Sequence, residues 1–317
     1  MLNGIPLKPH GRFMKLDIQE IETFLRVAEL GSVSLAAQQL GVAKSVVSKR
    51  LSDLERHLGG KLLFRSTRKV APTDSGQRFY LQAKAALAEL RSAAEAVAFE
   101  DGSLAGRLRI LAPMSFGTLW LAPRLTEFMR QHPQLELALQ LDDRVSDFER
   151  EGYDLCLRIS RLHDSALIAR RLGSSPRVVC CSPDYIREHG APERLEQLLE
   201  HPCIGYCNLS AGQLWSFDDP ADAQRPLTLA PGGRFTSNNG EAMRDAALAG
   251  LGVAVLPRFI VQHDLQAGRL VQVLAEARPT DDQIHALYPR ARRASPKVQA
   301  LCDFLQRALA NESWAGP

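Results

Sequence analysis

The chain has 317 residues, 45% of them apolar and 24% charged, with a formal net charge of +3; this suits two or three domains and excludes a globally disordered protein. The charge is unevenly placed, because residues 1–73 hold 12 Lys/Arg against 6 Asp/Glu while the rest carries a net of −3. No apolar run reaches the roughly 18–20 residues of a membrane span, and the opening MLNGIPLKPHGRF lacks the apolar core of a secretory signal, so a cytoplasmic protein with no membrane partner is expected.

Residues 1–13 read as a disordered extension. In IQEIETFLRVAEL, residues 18–30, Ile21, Phe24, Leu25 and Ala28 recur at i, i+3, i+4 and i+7, the stripe of an amphipathic helix. Gly31 ends it, Ser32 or Ser34 caps a second helix over SLAAQQL, and Gly41 ends that one. A third helix spans Lys44 to Leu58 and stops at Gly59-Gly60. Two short helices around a glycine turn are a helix-turn-helix pattern. Leu62–Arg65 and Lys69–Ala71 read as strands of a small hairpin, a wing, with Ser66-Thr67-Arg68 as its turn.

Eight bases (Lys44, Lys49, Arg50, Arg56, Lys61, Arg65, Arg68, Lys69) against Asp53 and Glu55 make residues 44–73 the basic pole, which suits a polyanion. Turning about 100° per residue from Val47 brings Leu51, Leu54 and Leu58 to one side of the third helix. Ser45, Ser48, Lys49, Ser52 and Arg56 fall on the other. Small hydroxyls permit close approach to a groove, and Lys and Arg reach phosphates or guanine edges. With Ser34, Lys44, Arg65 and Arg68 they form the candidate DNA-binding set.

Thr73 is a candidate N-cap for a long helix over residues 74–100, rich in Ala, Leu, Glu and Lys. Tyr80, Ala83, Leu87, Leu90, Ala94 and Val97 alternate spacings of three and four, an a/d stripe. It either pairs with a second copy in a dimer or lies on its own domain. EDGSLAG, residues 100–106, reads as a linker.

Beyond it the pattern becomes α/β. RLRILAP is a strand, SFGTLWLAPRLTEFMRQHP a helix kinked or split at Pro123, LELALQL a strand, VSDFEREG a short helix and DLCLRIS a strand. That order implies a parallel sheet with right-handed crossovers. A second series over about 167–262 contains strands near LIARRL, RVVCCS and GRFTS, helix EAMRDAALAG and strand GVAVLP; strand QIHALYP and a helix from Pro296 to about Ala310 close the chain.

The six cysteines (Cys156, Cys180, Cys181, Cys203, Cys207, Cys302) read as reduced thiols in a core. His201, Cys203 and Cys207 form H-x-C-x3-C without a fourth ligand or second pair, so neither a metal nor another cofactor is expected. There is no G-x-S-x-G, H-E-x-x-H or P-loop, and GLG at 250–252 is too short for a dinucleotide fingerprint. No enzymatic activity is expected.

Taken together these residues resemble the LysR-type transcriptional regulators. The resemblance runs from about Met14 to Ala310. It rests on Phe24 and Ala28, Gly31-Ser32, Ala36-Ala37, Leu40-Gly41, Val47-Ser48, Leu54-Glu55, Leu58-Gly59, Leu63-Phe64-Arg65, Arg68, Thr73 and Gly76, then on GRLRILAPMSFG, YDLCLRIS, SNNGEAMRDAALAGLGVAVLP and SPKVQALCDFL. It implies an α/β chain with an N-terminal winged helix-turn-helix (14–73), a dimerising linker helix (74–100) and an effector-binding domain (101–317). That domain is expected as two α/β subdomains resembling a type 2 periplasmic binding protein, lobe I at about 107–165 and 267–312 and lobe II at about 166–266. It further implies homodimers assembling into tetramers, double-stranded DNA and a small-molecule effector as partners, and RNA polymerase as a further candidate partner. The family begins just before the first helix, so Met1–Phe13 is extra and Met14 is an alternative start. Many members enter the recognition helix with Ser/Thr-Gln-Pro where this chain has Ala43, Lys44 and Ser45. Ser45 then caps a slightly later start, and base preference does not transfer.

By the same resemblance an effector cleft lies between the lobes. Ser115 and Phe116 stand where a strand gives way to a helix, Asn238, Asn239 and Gly240 stand at another helix start, and Ser160 and Arg161 end a strand near the lobe crossing. Helix starts supply N–H groups suited to an anion, and Arg161 suits a carboxylate, so an organic acid is the expected class. Phe116, Trp215 and Phe217 are candidates for an apolar wall. The rival reading is a ligand-independent DNA-binding repressor of the same fold.

Overall fold

The computed structural model describes residues 16–65, 70–98, 103–144, 152–160, 167–207, 214–219, 222 and 225–314. It divides into two compact units, residues 1–91 and 92–317. Among the described residues no helix is long and apolar enough to cross a membrane.

In the first unit, α1 (Ile18–Leu30), α2 (Val33–Leu40) and α3 (Lys44–Leu58) precede β1 (Leu63–Arg65), β2 (Val70–Pro72) and the start of α4 (Asp74–Ala98). Asp17 and Ser32 cap α1 and α2 through side-chain oxygens. Phe24, Val27, Ala36, Ala37, Val47, Leu51, Leu54, Leu62 and Leu63 are buried together as one core. Gly31 sits at φ +60°, where an L side chain is strained, and its carbonyl accepts the Val70 N–H at 3.3 Å. That bond ties the wing to the first interhelical turn.

The wing is the antiparallel pair β1–β2; β1 starts one residue later than expected and β2 is displaced by one. Its base is held by Glu55. This buried carboxylate accepts the Leu62 and Leu63 N–H groups at 3.0 and 3.3 Å and the Lys61 ammonium at 2.8 Å. Thr73 Oγ1 accepts the Gly76 N–H at 2.9 Å, the expected cap of α4. A Cβ at Gly76 would lie 1.9 Å from the Leu62 carbonyl oxygen, so only glycine lets α4 pass the wing this closely.

The second unit holds two five-stranded sheets. The first, ordered β4-β3-β5-β14-β6, uses β3 (Gly106–Ala112), β4 (Leu135–Leu141), β5 (Leu155–Ile159), β6 (Ile168–Ser175) and β14 (Asp282–Tyr288). The second, ordered β11-β8-β12-β7-β13, uses β7 (Arg177–Cys181), β8 (Cys203–Tyr206), β11 (Phe235–Ser237), β12 (Val253–Pro257) and β13 (Val271–Gln272). A separate hairpin pairs β9 (Trp215–Phe217) with β10 (Leu227–Leu229).

The expected parallel order holds for β3 with β4 and β5. Both sheets are mixed, however: β14 runs antiparallel to β5 and β6, and β7 antiparallel to β12 and β13. The cause is that two crossing segments swap the chain between sheets. β6 ends at Ser175 in the first and β7 begins at Arg177 in the second, with Pro176 between; the return lies between Gln272 and Asp282. This corrects the expected lobe limits of 166 and 266, since β6 belongs to the first sheet and β13 to the second.

The helix after β3 is continuous but changes pitch. α5 (Met114–Phe116) runs into a π segment, Gly117–Leu121, and then α6 (Ala122–Gln131). The wide turn ends just before Pro123, and the helix carries on through that residue into α6, so Pro123 neither breaks nor ends it. The chain also forms α7 (Pro183–His189), α8 (Gly240–Leu248), α9 (Arg258–Gln266) and α10 (Pro296–Ala310). The helix expected over VSDFEREG falls largely outside the described residues.

Candidate functional site

The outer side of α3 presents the predicted set. Lys44, Ser45, Lys49, Ser52 and Arg56 are exposed and Ser48 half-buried, opposite the buried Val47, Leu51 and Leu54. Ser34 is exposed on α2. The helix begins at Lys44 with Ala43 as a cap that makes no side-chain hydrogen bond, so Ser45 lies inside the first turn and does not cap a later start. Ser52 Oγ donates to the Ser48 carbonyl at 2.9 Å, and Arg56 pairs with Asp53 on the same helix. Lys49 has no ionic partner among the described residues.

Arg50 differs from its neighbours. Its guanidinium donates to Gln19 Oε1 at 2.5 Å and Thr23 Oγ1 at 3.5 Å, pinning α3 to α1. His57 Nδ1 lies 3.1 Å from Glu20. Part of the basic excess is therefore structural. Arg65 lies on β1, its side chain outside the described residues, as is all of Arg68.

The α4 stripe splits along its length. Tyr80 packs against the three-helix core and its hydroxyl donates to Glu29 at 3.1 Å. Ala83 and Leu87 are buried within the chain, whereas Leu90, Ala94 and Val97 are exposed. The first turns thus lie on their own chain, and the later stripe positions are exposed.

In the second unit the predicted cleft residues divide in the same way. Ser115 is 7% exposed, and its Oγ has no hydrogen-bond partner among the described residues. That oxygen lies 3.3 Å from where a Cβ would sit on Gly240, so the start of α5 and the start of α8 face each other. Asn239 caps α8, its Oδ1 accepting the Ala242 N–H at 2.9 Å. Asn238 and Ser160 are exposed, and Arg161 falls outside the described residues.

The proposed apolar wall is corrected. Phe116 is 1% exposed in the lobe I core, stacked on Trp120 at 5.0 Å between centroids and edge-on to Phe259 of α9 at 5.5 Å. Trp215 and Phe217 belong to the core of the second lobe. Their hydrophobicity is spent on packing.

The sequence reading missed Asp143, just past the end of β4. Its Oδ1 accepts the Met114 N–H at 3.0 Å, taking one of the helix-start donors expected to serve an anion. Burial pushes the Asp143 carboxyl above the ordinary range, opposed by that N–H, while Asp142 and Glu241 push it further up. Asp142 is itself held low by hydrogen bonds from Arg144. The signal available was the pair Asp142-Asp143 directly after a predicted strand. Because the first N–H groups of a helix have no intrahelical partner, those of Ser115, Phe116, Gly240 and Glu241 still point outward from their helices.

The H-x-C-x3-C residues are used separately. Tyr185 OH and His201 Nδ1 are 2.7 Å apart, Cys203 Sγ contacts the Leu198 carbonyl at 3.5 Å, and Cys207 is exposed. Burial raises Cys180, Cys203 and Cys302 to about 12 and Cys181 to about 11.

Two family models match the chain: the bacterial regulatory helix-turn-helix protein of the lysR family over residues 18–77, and the LysR substrate binding domain over residues 101–310. An uncharacterised HTH-type transcriptional regulator of Haemophilus influenzae is 34% identical over 284 residues, covering 90% of this chain and 98% of the relative. The HTH-type transcriptional regulator CrgA of Neisseria meningitidis serogroup C is 33% identical over 302 residues, covering 94% and 99%. The solved structure of CrgA, a LysR-type transcriptional regulator from Neisseria meningitidis, matches with a TM-score of 0.60 at 31% identity, covering 94% of this chain and all of that one.

Proposed function

From the premise that this chain belongs to the LysR family of transcriptional regulators, we propose that it binds specific DNA sequences as a homo-oligomer, under the control of a small organic effector held between its two lobes. The observation that carries the DNA reading is α3. One side is buried in a three-helix core, and the other offers Ser45, Ser48, Lys49, Ser52 and Arg56 to a groove. The open stripe Leu90, Ala94 and Val97 on α4 supports pairing with a second copy.

The effector reading is carried by Ser115 Oγ, buried, unpartnered among the described residues and facing the start of α8. A buried hydroxyl without a partner costs about 1–3 kcal/mol, which a ligand would recover. A small organic acid fits the outward N–H groups of Ser115 and Gly240, with Asn239, Ser160 and Arg161 as further candidate contacts. Asp143 favours the second reading, a ligand-independent repressor, because it already satisfies the Met114 N–H from within the chain.

Thermal-shift titration of full-length protein with a panel of small organic acids, repeated on Ser115→Ala, separates the two. An acid that raises the melting temperature of the wild type and not of Ser115→Ala supports the effector reading. Silence across the panel supports the repressor.

A further inference from the structure

The two crossing segments run beside a cavity of about 330 Å3, whose lining includes Pro176, Arg177, Arg258, Ala275, Arg278 and Trp314. None of Ser115, Asp143, Asn239 or Gly240 lines it, so it is separate from the cleft at the starts of α5 and α8. Its volume falls within the range of small-ligand sites, about 300–1,000 Å3.

We propose that this cavity is a second ligand site, and that it takes a small dianion carried on a short carbon body or as phosphate. Three arginines line it, and they are not equivalent. Arg177 is committed: Nε and Nη2 donate to the Thr280 carbonyl at 3.1 and 2.7 Å, and Nε lies 3.6 Å from Asp282. The guanidiniums of Arg258 and Arg278 have no hydrogen bond or ion pair among the described residues. Each offers a planar fork of N–H donors suited to two oxygens of a carboxylate or phosphate. One acid, Asp281, also stands on the wall; burial and neighbouring Asp218 push its carboxyl up, against Arg177, which pulls it down.

The frame is built. The Arg258 N–H donates to the Pro176 carbonyl at 2.8 Å, the Asp218 N–H to the Arg278 carbonyl at 2.8 Å, and Gln262 Nε2 to Ser313 Oγ at 3.0 Å. Pro176, Val178, Ala275, Ala277, Pro279 and the Trp314 indole supply apolar surface for a carbon body. Val178, Arg258 and Gln272 belong to the second lobe, whereas Trp314 packs in the core of the first. An occupant touching both stabilises one relative placement of the lobes, to the extent that it binds that placement better. The site is thereby positioned to modulate the front cleft without sharing a residue with it.

The test is isothermal titration of the full-length protein with succinate and, separately, with inorganic phosphate, using neutral succinamide as control. The wild type should bind at least one dianion and not succinamide. Succinate alone would identify a dicarboxylate, and phosphate alone a phosphate group. Arg258→Ala and Arg278→Ala should each weaken binding by roughly tenfold or more. Ala275→Trp, which fills the cavity and leaves both guanidiniums in place, should abolish it, while Ser115→Ala should leave it unchanged. Thermal melts of each variant verify folding. Failure of both dianions to bind overturns the proposal. So does binding that survives both arginine substitutions and Ala275→Trp, or that is lost in Ser115→Ala.

Discussion

Lys297 Nζ, 6% exposed as a residue at the start of α10, donates to Glu95 Oε1 near the end of α4 at 2.9 Å. The same carboxylate accepts Ser295 Oγ at 3.0 Å and lies 3.8 Å from Arg292, whose other nitrogen is 2.6 Å from Asp154. The last turns of α4, which belong to the second unit, are thus held within it by a charge network.

Glu95→Ala leaves the buried Lys297 ammonium with only the Arg107 carbonyl. Removing one partner of a buried pair costs about 3–5 kcal/mol. Because the Glu95 side chain is 26% exposed, the expected loss falls below that range, at about 2–3 kcal/mol, read by urea unfolding of the full-length protein. Replacing both groups, Glu95→Leu with Lys297→Met, should cost less than Glu95→Ala alone.

Gly76→Ala drives a methyl into the Leu62 carbonyl, backbone that cannot swing aside. Such overpacking costs about 1–3 kcal/mol. The wing sits on that carbonyl, since Thr73 N–H donates to it at 2.9 Å. DNA affinity should therefore fall along with the melting temperature of the first unit, with binding at the lobes unchanged. A Gly76→Ala protein of wild-type stability would contradict the packing argument.

Much of this was legible beforehand and some was not. Val47, Leu51 and Leu54 declare their side of α3 by periodicity, and Thr73 declares a cap by its place before Asp74, because these signals are local. Asp143 and Met114 are 29 residues apart and meet only once β3 and β4 are paired in parallel. Phe116 reads from the sequence as a cleft-wall candidate; only the packing of Trp120 and Phe259 around it shows it in the core. The two-residue β13 carries too little pattern to be seen, and the antiparallel pairings follow from a crossover at Pro176 that no spacing announces.

Asp143→Asn keeps an oxygen for the Met114 N–H and removes the charge. Since burial raises the native Asp143 pKa above its ordinary 3.8, the folded state resists ionisation. The group's destabilising effect is full at neutral pH and fades as pH falls through the raised value toward the unfolded one. The variant should be at least as stable as the wild type at pH 7, with the difference shrinking on acidification, as followed by thermal melts against pH. An anionic effector at the front cleft should bind roughly three- to tenfold more tightly without the opposing charge.

Native protein should expose one thiol to a disulfide reagent such as DTNB. Cys207 is exposed; the other five are buried, and burial raises all five thiols, disfavouring the reactive thiolate. Unfolding should release all six, and Cys207→Ser should abolish the fast native phase. Rapid reaction of two or more thiols in the folded protein would contradict the packing of these cysteines.

The central claim, that the outer side of α3 reads DNA, is tested most directly by protection mapping of the protein's own upstream DNA across a salt series, with wild type and Lys49→Ala. The wild type should protect a defined site at low salt, and its affinity should fall steeply as salt rises. Lys49→Ala should bind more weakly with the salt slope reduced by about one, while its melting temperature is unchanged. No protected site at low salt, or identical protection and salt dependence in the two proteins, would contradict it.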